Sequence, residues 1–303
     1  MKSFLAARRG LSFGLAGLLL LQLACGVAQA RGDAAVWSVK GERNTVYLAG
    51  SVHALPKDHA EFSPQLEQAY AAAKIVYMEV DLDDMNPLEA MQFVTSRGTL
   101  PQDQRLADLV GADQYVRVNQ TAQSLDVPEI VIDRLEPWAA AMVLTQFALQ
   151  KSGFDPALGI DMQLVERARV DGKPIEGLET VIDQLSIFDD RSMEEQTRFL
   201  IDSVDDMATL ERDLARLVEA WRTGDMRGLE REFKKERAQA PGLYDELLGA
   251  RNRKWLPKIV DLLDDDQDYL VVVGTLHFVG RDGLLTLLKR AGHRPSPLPA
   301  APR

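Results

Sequence analysis

Two short segments near opposite ends of the chain constrain its fold more than any other feature of the sequence. Residues 45–49 (TVYLA) run into Gly50-Ser51-Val52-His53, and residues 269–273 (YLVVV) run into Gly274-Thr275-Leu276-His277. Each apolar run reads as a buried strand, and each is followed by a glycine, a loop and a helix. With four histidines and 21 glycines in 303 residues, roughly 0.3 Gly-x-x-His matches are expected by chance. Two matches, both directly after a buried strand, mark a repeated unit. Ligands of an α/β sheet bind at the C-terminal ends of its strands. A glycine there lets the chain turn sharply, and a histidine three residues on faces the crevice.

The stretches between these ends predict an α/β chain with strands near the termini and a large helical middle. Ser63-Pro64 is an N-cap followed by proline at the first helical position, opening a helix to about residue 73. Residues 74–78 (KIVYM) form a second strand running into Glu79. Residues 160–170 place Met162, Leu164, Val165 and Ala168 on a helix face, and a short strand follows at 173–176 (KPIE). Asp282-Gly283 is expected to cap a helix through Lys289 that stops at Gly292. Residues 137–151, 192–203, 206–222, 226–238 and 244–255 also read as helices. Charges of both signs are mixed through this middle region, as on solvated helix faces with i,i+4 pairs. Residues 31–303 contain no GxxxxGK[ST], GxGxxG or GxSxG, so neither nucleotide binding nor a serine-hydrolase elbow has support there.

Composition narrows the function. The chain is 46% hydrophobic and 27% charged, which excludes disordered and collagen-like classes. A net charge of −11 excludes nucleic acid as the main partner, because no basic field offsets phosphate repulsion. Residues 1–30 read as a secretory signal peptide: Lys2, Arg8 and Arg9 form the positive region, residues 11–23 are apolar, and Ala28-Gln29-Ala30 supplies the cleavage site. The expected location is therefore periplasmic or secreted. A lipoprotein anchored at Cys25 is the alternative, although Gln22 stands where a lipobox wants leucine. The apolar run is short for a span of about 20 residues and is broken by Gly14 and Gly17. With no other long apolar run, stable membrane insertion after cleavage is not expected. Residues 31–294 are expected to form one domain, mostly helical from about 100 to 240, and residues 295–303 (PSPLPAAPR) a disordered tail.

The paired histidines suggest metal chemistry. Imidazole nitrogens bind Zn, Mn, Co or Fe, and two imidazoles plus a carboxylate leave a position open for water. Glu79 sits at a strand end like the histidines, and Glu176 and Glu179 end the third strand. His53 and His277 are therefore the candidate imidazole ligands, with Glu79 or Glu179 as the carboxylate. Glu79 and Glu179 share the remaining roles of ligand and general base, undivided by sequence. Arg251 is a candidate to bind a substrate carboxylate or a developing oxyanion. Asp161 is a candidate to orient a histidine from behind. His59 and His293 are assigned no role.

These residues lie within a longer set of motifs: Trp37-Ser38-Val39, Val46-Tyr47-Leu48-Ala49-Gly50-Ser51-Val52-His53, Leu55-Pro56, Met78-Glu79-Val80-Asp81 and Gly159-Ile160-Asp161. The set continues through Lys173-Pro174-Ile175, Gly177-Leu178-Glu179-Thr180, Gln184, Arg251-Asn252, Trp255 and Val272-Val273-Gly274-Thr275-Leu276-His277. In this order and spacing the chain resembles the TraB/GumN (PrgY) family, related to the Tiki metalloproteases and more distantly to erythromycin esterase-like enzymes. The resemblance implies a central mixed β-sheet surrounded by helices. It also implies a divalent-metal-dependent peptidase in which His53, Glu79 and His277 serve a Mn, Co or Zn ion, acting on a peptide or small-molecule substrate. Two alternatives stay open: a metal-free esterase-like hydrolase with a histidine base oriented by glutamate, and a non-catalytic protein that sequesters a peptide. The sequence does not give the oligomeric state.

Overall fold

A computed structural model describes residues 35–59 and 61–299. The expected signal peptide, its cleavage after Ala30 and the Cys25 alternative lie outside these residues. The described strands form a six-stranded sheet: β1 (Val36–Lys40), β2 (Thr45–Ser51), β3 (Ile75–Val80), β4 (Ile175–Glu179), β5 (Tyr269–Gly274) and β6 (Ser296–Pro297). Their order is β4-β3-β5-β2-β1-β6. The four strands from β4 to β2 run parallel, and β1 runs antiparallel to both β2 and β6. The expected α/β class with a mixed sheet and surrounding helices is borne out.

The two motif strands earn their central places by composition. Every residue of β2 is buried, and in β5 only the terminal Gly274 is less than buried. A strand packed on both faces must be apolar throughout, which suits it to an interior parallel position. β5 inserts between β2 and β3, so the register brings Ser51 opposite Gly274 and Met78 opposite Val272. On the far side of β3, Val80 lies opposite Glu179. The C-terminal ends carrying His53, His277, Glu79 and Glu179 thus form one edge, where the strand order departs from chain order and crevices open.

Several local expectations need correction. Glu179 ends β4 as read, whereas Glu79 lies inside β3, one residue before its end, because parallel pairing of Val80 with Glu179 carries β3 further. The tail beginning at residue 295 is not wholly disordered: Ser296–Pro297 pairs with Trp37 and Ser38, and Leu298 is buried. Pro297 is tolerated there because β6 is an edge strand. Asp282 does not cap the helix Leu284–Arg290, whose N-cap Gly283 offers no side chain. The expected helix at 244–255 is interrupted: a π-helical turn, Asp245–Ala250, precedes the α-helix Arg251–Asp261. Ser63 behaves as read, accepting the Leu66 N–H at 3.1 Å.

The helical middle carries its own apolar cluster, in which Leu106, Val118, Ile132, Leu144 and Leu200 are buried. The sheet and its covering helices form another, around Leu48, Leu164, Trp255 and Leu270. No helix of the described residues is long and apolar enough to cross a membrane.

Candidate active site

The helix Ile160–Asp171 begins hard against the first histidine loop, because its Ile160 N–H donates to the Val52 carbonyl at 3.1 Å. A Cβ on Gly159 would lie 2.3 Å from the His53 carbonyl oxygen, so only glycine permits this approach. Asp161 is thereby carried to His53, with Oδ2 2.8 Å from Nδ1. The expectation that Asp161 backs a histidine agrees with this contact.

The second histidine is held from the opposite side. His277 lies on a single 3-10 turn, Thr275–Phe278. Asn252 Nδ2 donates to the carbonyls of His277 at 3.0 Å and Asp282 at 2.9 Å, which fixes the amide so that its Oδ1 faces His277 Nδ1 at 2.7 Å. An amide oxygen only accepts, so Nδ1 carries the proton and Nε2 keeps its lone pair. Arg251 and Trp255, four residues apart, share the face of the helix that meets the site. The Trp255 ring lies 4.7 Å from the His277 ring and 4.5 Å from the Arg251 guanidinium carbon.

Glu79 stands between the two imidazoles. Its Oε1 accepts the Gly274 N–H at 2.7 Å and lies 3.6 Å from His277 Nε2 and 4.0 Å from His53 Nε2. Its Oε2 accepts from Gln184 at 3.2 Å and pairs with Arg251 Nη2. Glu179 is placed behind Arg251: Oε1 accepts from Arg251 Nε at 3.0 Å, and Oε2 accepts from Trp255 Nε1 at 3.1 Å. The structure therefore gathers His53, Glu79, His277 and Arg251, and sets Glu179 one step further back. Glu176 is exposed and outside this group.

Arg251 has less freedom than its sequence-based role requires. Its donors serve Glu179, Glu79, the Leu247 carbonyl at 2.9 Å and His277 Nε2 at 3.3 Å. The residue is buried, and a guanidinium has five N–H groups. With those committed inside the protein, Arg251 organises the cluster and has no fork to offer a substrate.

The charges of the cluster are divided unevenly. The Asp161 carboxylate is the main reason that the His53 imidazole rises to about 9, against a smaller opposing effect of burial and with further help from Glu79. His53 nevertheless keeps 66% of its side chain exposed, so solvent screens part of that pull. Burial pushes His277 down to about 3, with Glu79 opposing and Arg251 and His53 assisting. Burial works against the Glu79 carboxylate, yet His277, Arg251, His53 and the Gly274 N–H together hold it down at about 2. Burial raises Glu179 despite its bond from Arg251. At neutral pH the cluster holds a charged, solvent-facing His53, whose Nε2 proton an incoming cation would have to displace, a neutral His277 and an ionised Glu79.

These residues fit a divalent cation by chemistry, though not yet by spacing. Both histidines have Nδ1 engaged by Asp161 or Asn252, leaving Nε2 for the site, which is how metal-ligating histidines are oriented. A Cβ on Gly274 would lie 3.3 Å from Glu79 Oε1 and 3.5 Å from His53 Nε2, so the glycine keeps the space between them clear. Two ligand atoms on one tetrahedral ion sit about 3.3 Å apart, less than the 3.6 Å and 4.0 Å from Glu79 Oε1 to the two imidazoles, so the side chains must draw together, His53 most. Among the described residues no three His, Cys, Asp or Glu side chains are already closed into a metal-binding group. Two buried hydroxyls, Ser51 and Thr275, directly follow the motif glycines and have no hydrogen-bond partner.

Sequence reasoning gave no role to Asn252, Gln184, Trp255 or Trp221. The first three stand in the motif set, and the spacing of Arg251, Asn252 and Trp255 on one helix was the available signal for Asn252 and Trp255. Trp221, whose Nε1 donates to the Gly50 carbonyl at 2.6 Å, had none.

Comparison with known proteins adds the following. The model of the TraB/PrgY/gumN family matches residues 35–297. The chain is 25% identical over 270 residues to the uncharacterized protein YbaP of Shigella flexneri, an alignment covering 86% of this chain and 96% of that protein. The uncharacterized YbaP of Escherichia coli strain K12 matches with the same identity and coverage. No solved structure matches the chain.

Proposed function

The chain belongs to the TraB/PrgY/gumN family, and from that premise and the geometry of the strand-end cluster we propose that it is a divalent-metal-dependent hydrolase cutting peptide bonds. One observation carries this reading. The two Gly-x-x-His histidines turn Nε2 toward the same Glu79 oxygen, while Asp161 and Asn252 hold their Nδ1 atoms.

His53, His277 and Glu79 would hold the ion. Once bound, it would lower the pKa of a coordinated water toward 7 and polarise a scissile carbonyl. The chain's own residues supply positioning. Asp161 sets the His53 ring, and Asn252 fixes the tautomer of His277. The Gly274 N–H and Gln184 aim the Glu79 carboxylate, and Arg251 keeps it ionised. His53 is the exposed member and marks the side from which substrate arrives. Glu179 is spent on Arg251 and Trp255, which favours Glu79 as the ligand and leaves Glu179 a supporting role. Export after cleavage at Ala30 belongs to the same reading and places the substrate outside the cytoplasm.

The test is cleavage of a mixed peptide library by the purified protein, before and after exhaustive chelation. Cleavage should stop on chelation and return on adding Mn2+, Co2+ or Zn2+. Cleavage that survives chelation would favour a metal-free hydrolase, in which Asp161, not a glutamate, orients the histidine base. Retention of peptides without cleavage under any condition would favour a sequestering protein.

A further inference from the structure

Arg251 shares two of its partners with the cation site. Its Nη1 lies 3.3 Å from His277 Nε2, the lone pair that an ion would need, and its Nη2 pairs with Glu79. We propose that Arg251 is a built-in rival of the cation: its guanidinium stands in for the ion in holding Glu79 and His277 in place, and its charge weakens ion binding. The inference rests on the metal-dependent reading above.

Three features support it. A single nitrogen lone pair cannot serve an N–H donor and an ion together, so uptake must break the Arg251–His277 contact. Arg251, Glu79 and His277 are all buried, where repulsion between a guanidinium and a dication on one carboxylate is weakly screened. Arg251 also has partners to fall back on that the ion would not take. Glu179 Oε1 lies 2.7 Å from Nη2, the Leu247 carbonyl accepts from Nη1, and the Trp255 ring lies against the guanidinium. Trp255 Nε1 in turn pins Glu179. Arg251 is thus a positioning residue with two sets of partners, one of them contested.

Titration of the chelated protein with Co2+, followed by isothermal calorimetry, tests this. Arg251→Gln should bind Co2+ roughly ten- to a hundredfold more tightly than the wild type, since a like charge has been removed at close range. Arg251→Lys keeps the charge without the fork and should stay near the wild-type affinity. A merely structural arginine would give the opposite sign, with both variants binding more weakly. Circular dichroism checks that Arg251→Gln is folded, because the change leaves two buried carboxylates without their cation. If it is not, Arg251→Gln combined with Glu179→Gln is compared with Glu179→Gln alone, and the double variant should bind more tightly. An Arg251→Gln protein, or the double variant in its place, that binds Co2+ no more tightly would overturn the inference while leaving the metal reading intact. Absence of Co2+ binding in the wild type and in every variant would overturn both.

Discussion

Replacing His277 by alanine should reduce peptide hydrolysis by at least about a thousandfold, to the level of His53→Ala, and the double change should be little worse than either. Residues that act as one unit give such non-additive losses. The expectation follows from the cluster's geometry, in which each Nε2 faces the same Glu79 oxygen. Glu79→Gln sharpens the test because it preserves shape and removes charge. As a ligand, Glu79 should lose ion binding and turnover together. A Glu79→Gln protein that keeps its ion while turnover collapses would make Glu79 a proton acceptor instead. The measurement is kcat/KM on a library-derived peptide, with ion content determined in parallel. Full activity in His277→Ala would remove the site altogether.

The metal-free protein should be most stable near pH 6.5 and should lose stability steeply toward acid. His277 dominates that limb. Burial holds it neutral down to about 3 in the fold, whereas in the unfolded chain it titrates near 6.5. Between those values the unfolded state takes up a proton that the fold refuses, so stability falls as pH falls, by about 5 kcal/mol at most. Glu79 acts in the same direction lower down. Its contribution is present above about 4.5 and is lost as pH falls through about 2. Glu179, raised by burial, opposes them over part of this range. His53 shapes the alkaline side, where its raised value gives a contribution present below 6.5 and lost as pH rises through about 9. Its exposure keeps that contribution small. Thermal unfolding of chelated protein between pH 4.5 and 9 measures the profile, and His277→Ala should flatten the segment from 6.5 to 4.5. An unchanged slope there in the variant would contradict the account of His277.

The parts of this molecule that depend on local pattern were readable. β2 and β5 are continuous apolar runs because they are buried on both faces, and the glycines that end them mark where the sheet edge opens. Their repeated histidines identified the edge, and Glu79 could be matched to it from its own strand. The parts that depend on distant pairing were not readable. Arg251 meets Glu79 across 172 residues and Glu179 across 72, and nothing local distinguishes a guanidinium that is fully engaged from one available to substrate. The π-helical turn before Arg251 leaves no periodic trace, since six residues are too few to shift a pattern. A proline-rich tail hides an edge strand because its pairing partner, β1, is itself short and carries polar Ser38 and Lys40.

The central claim is that His53, Glu79 and His277 share one ion. An anomalous difference map at the zinc absorption edge, from crystals of the protein equilibrated with Zn2+, tests it most directly. The expected result is a single strong peak with both Nε2 atoms and a Glu79 oxygen at about 2.0–2.2 Å. A map with no peak between these three side chains, or with zinc bound only elsewhere on the chain, would contradict it.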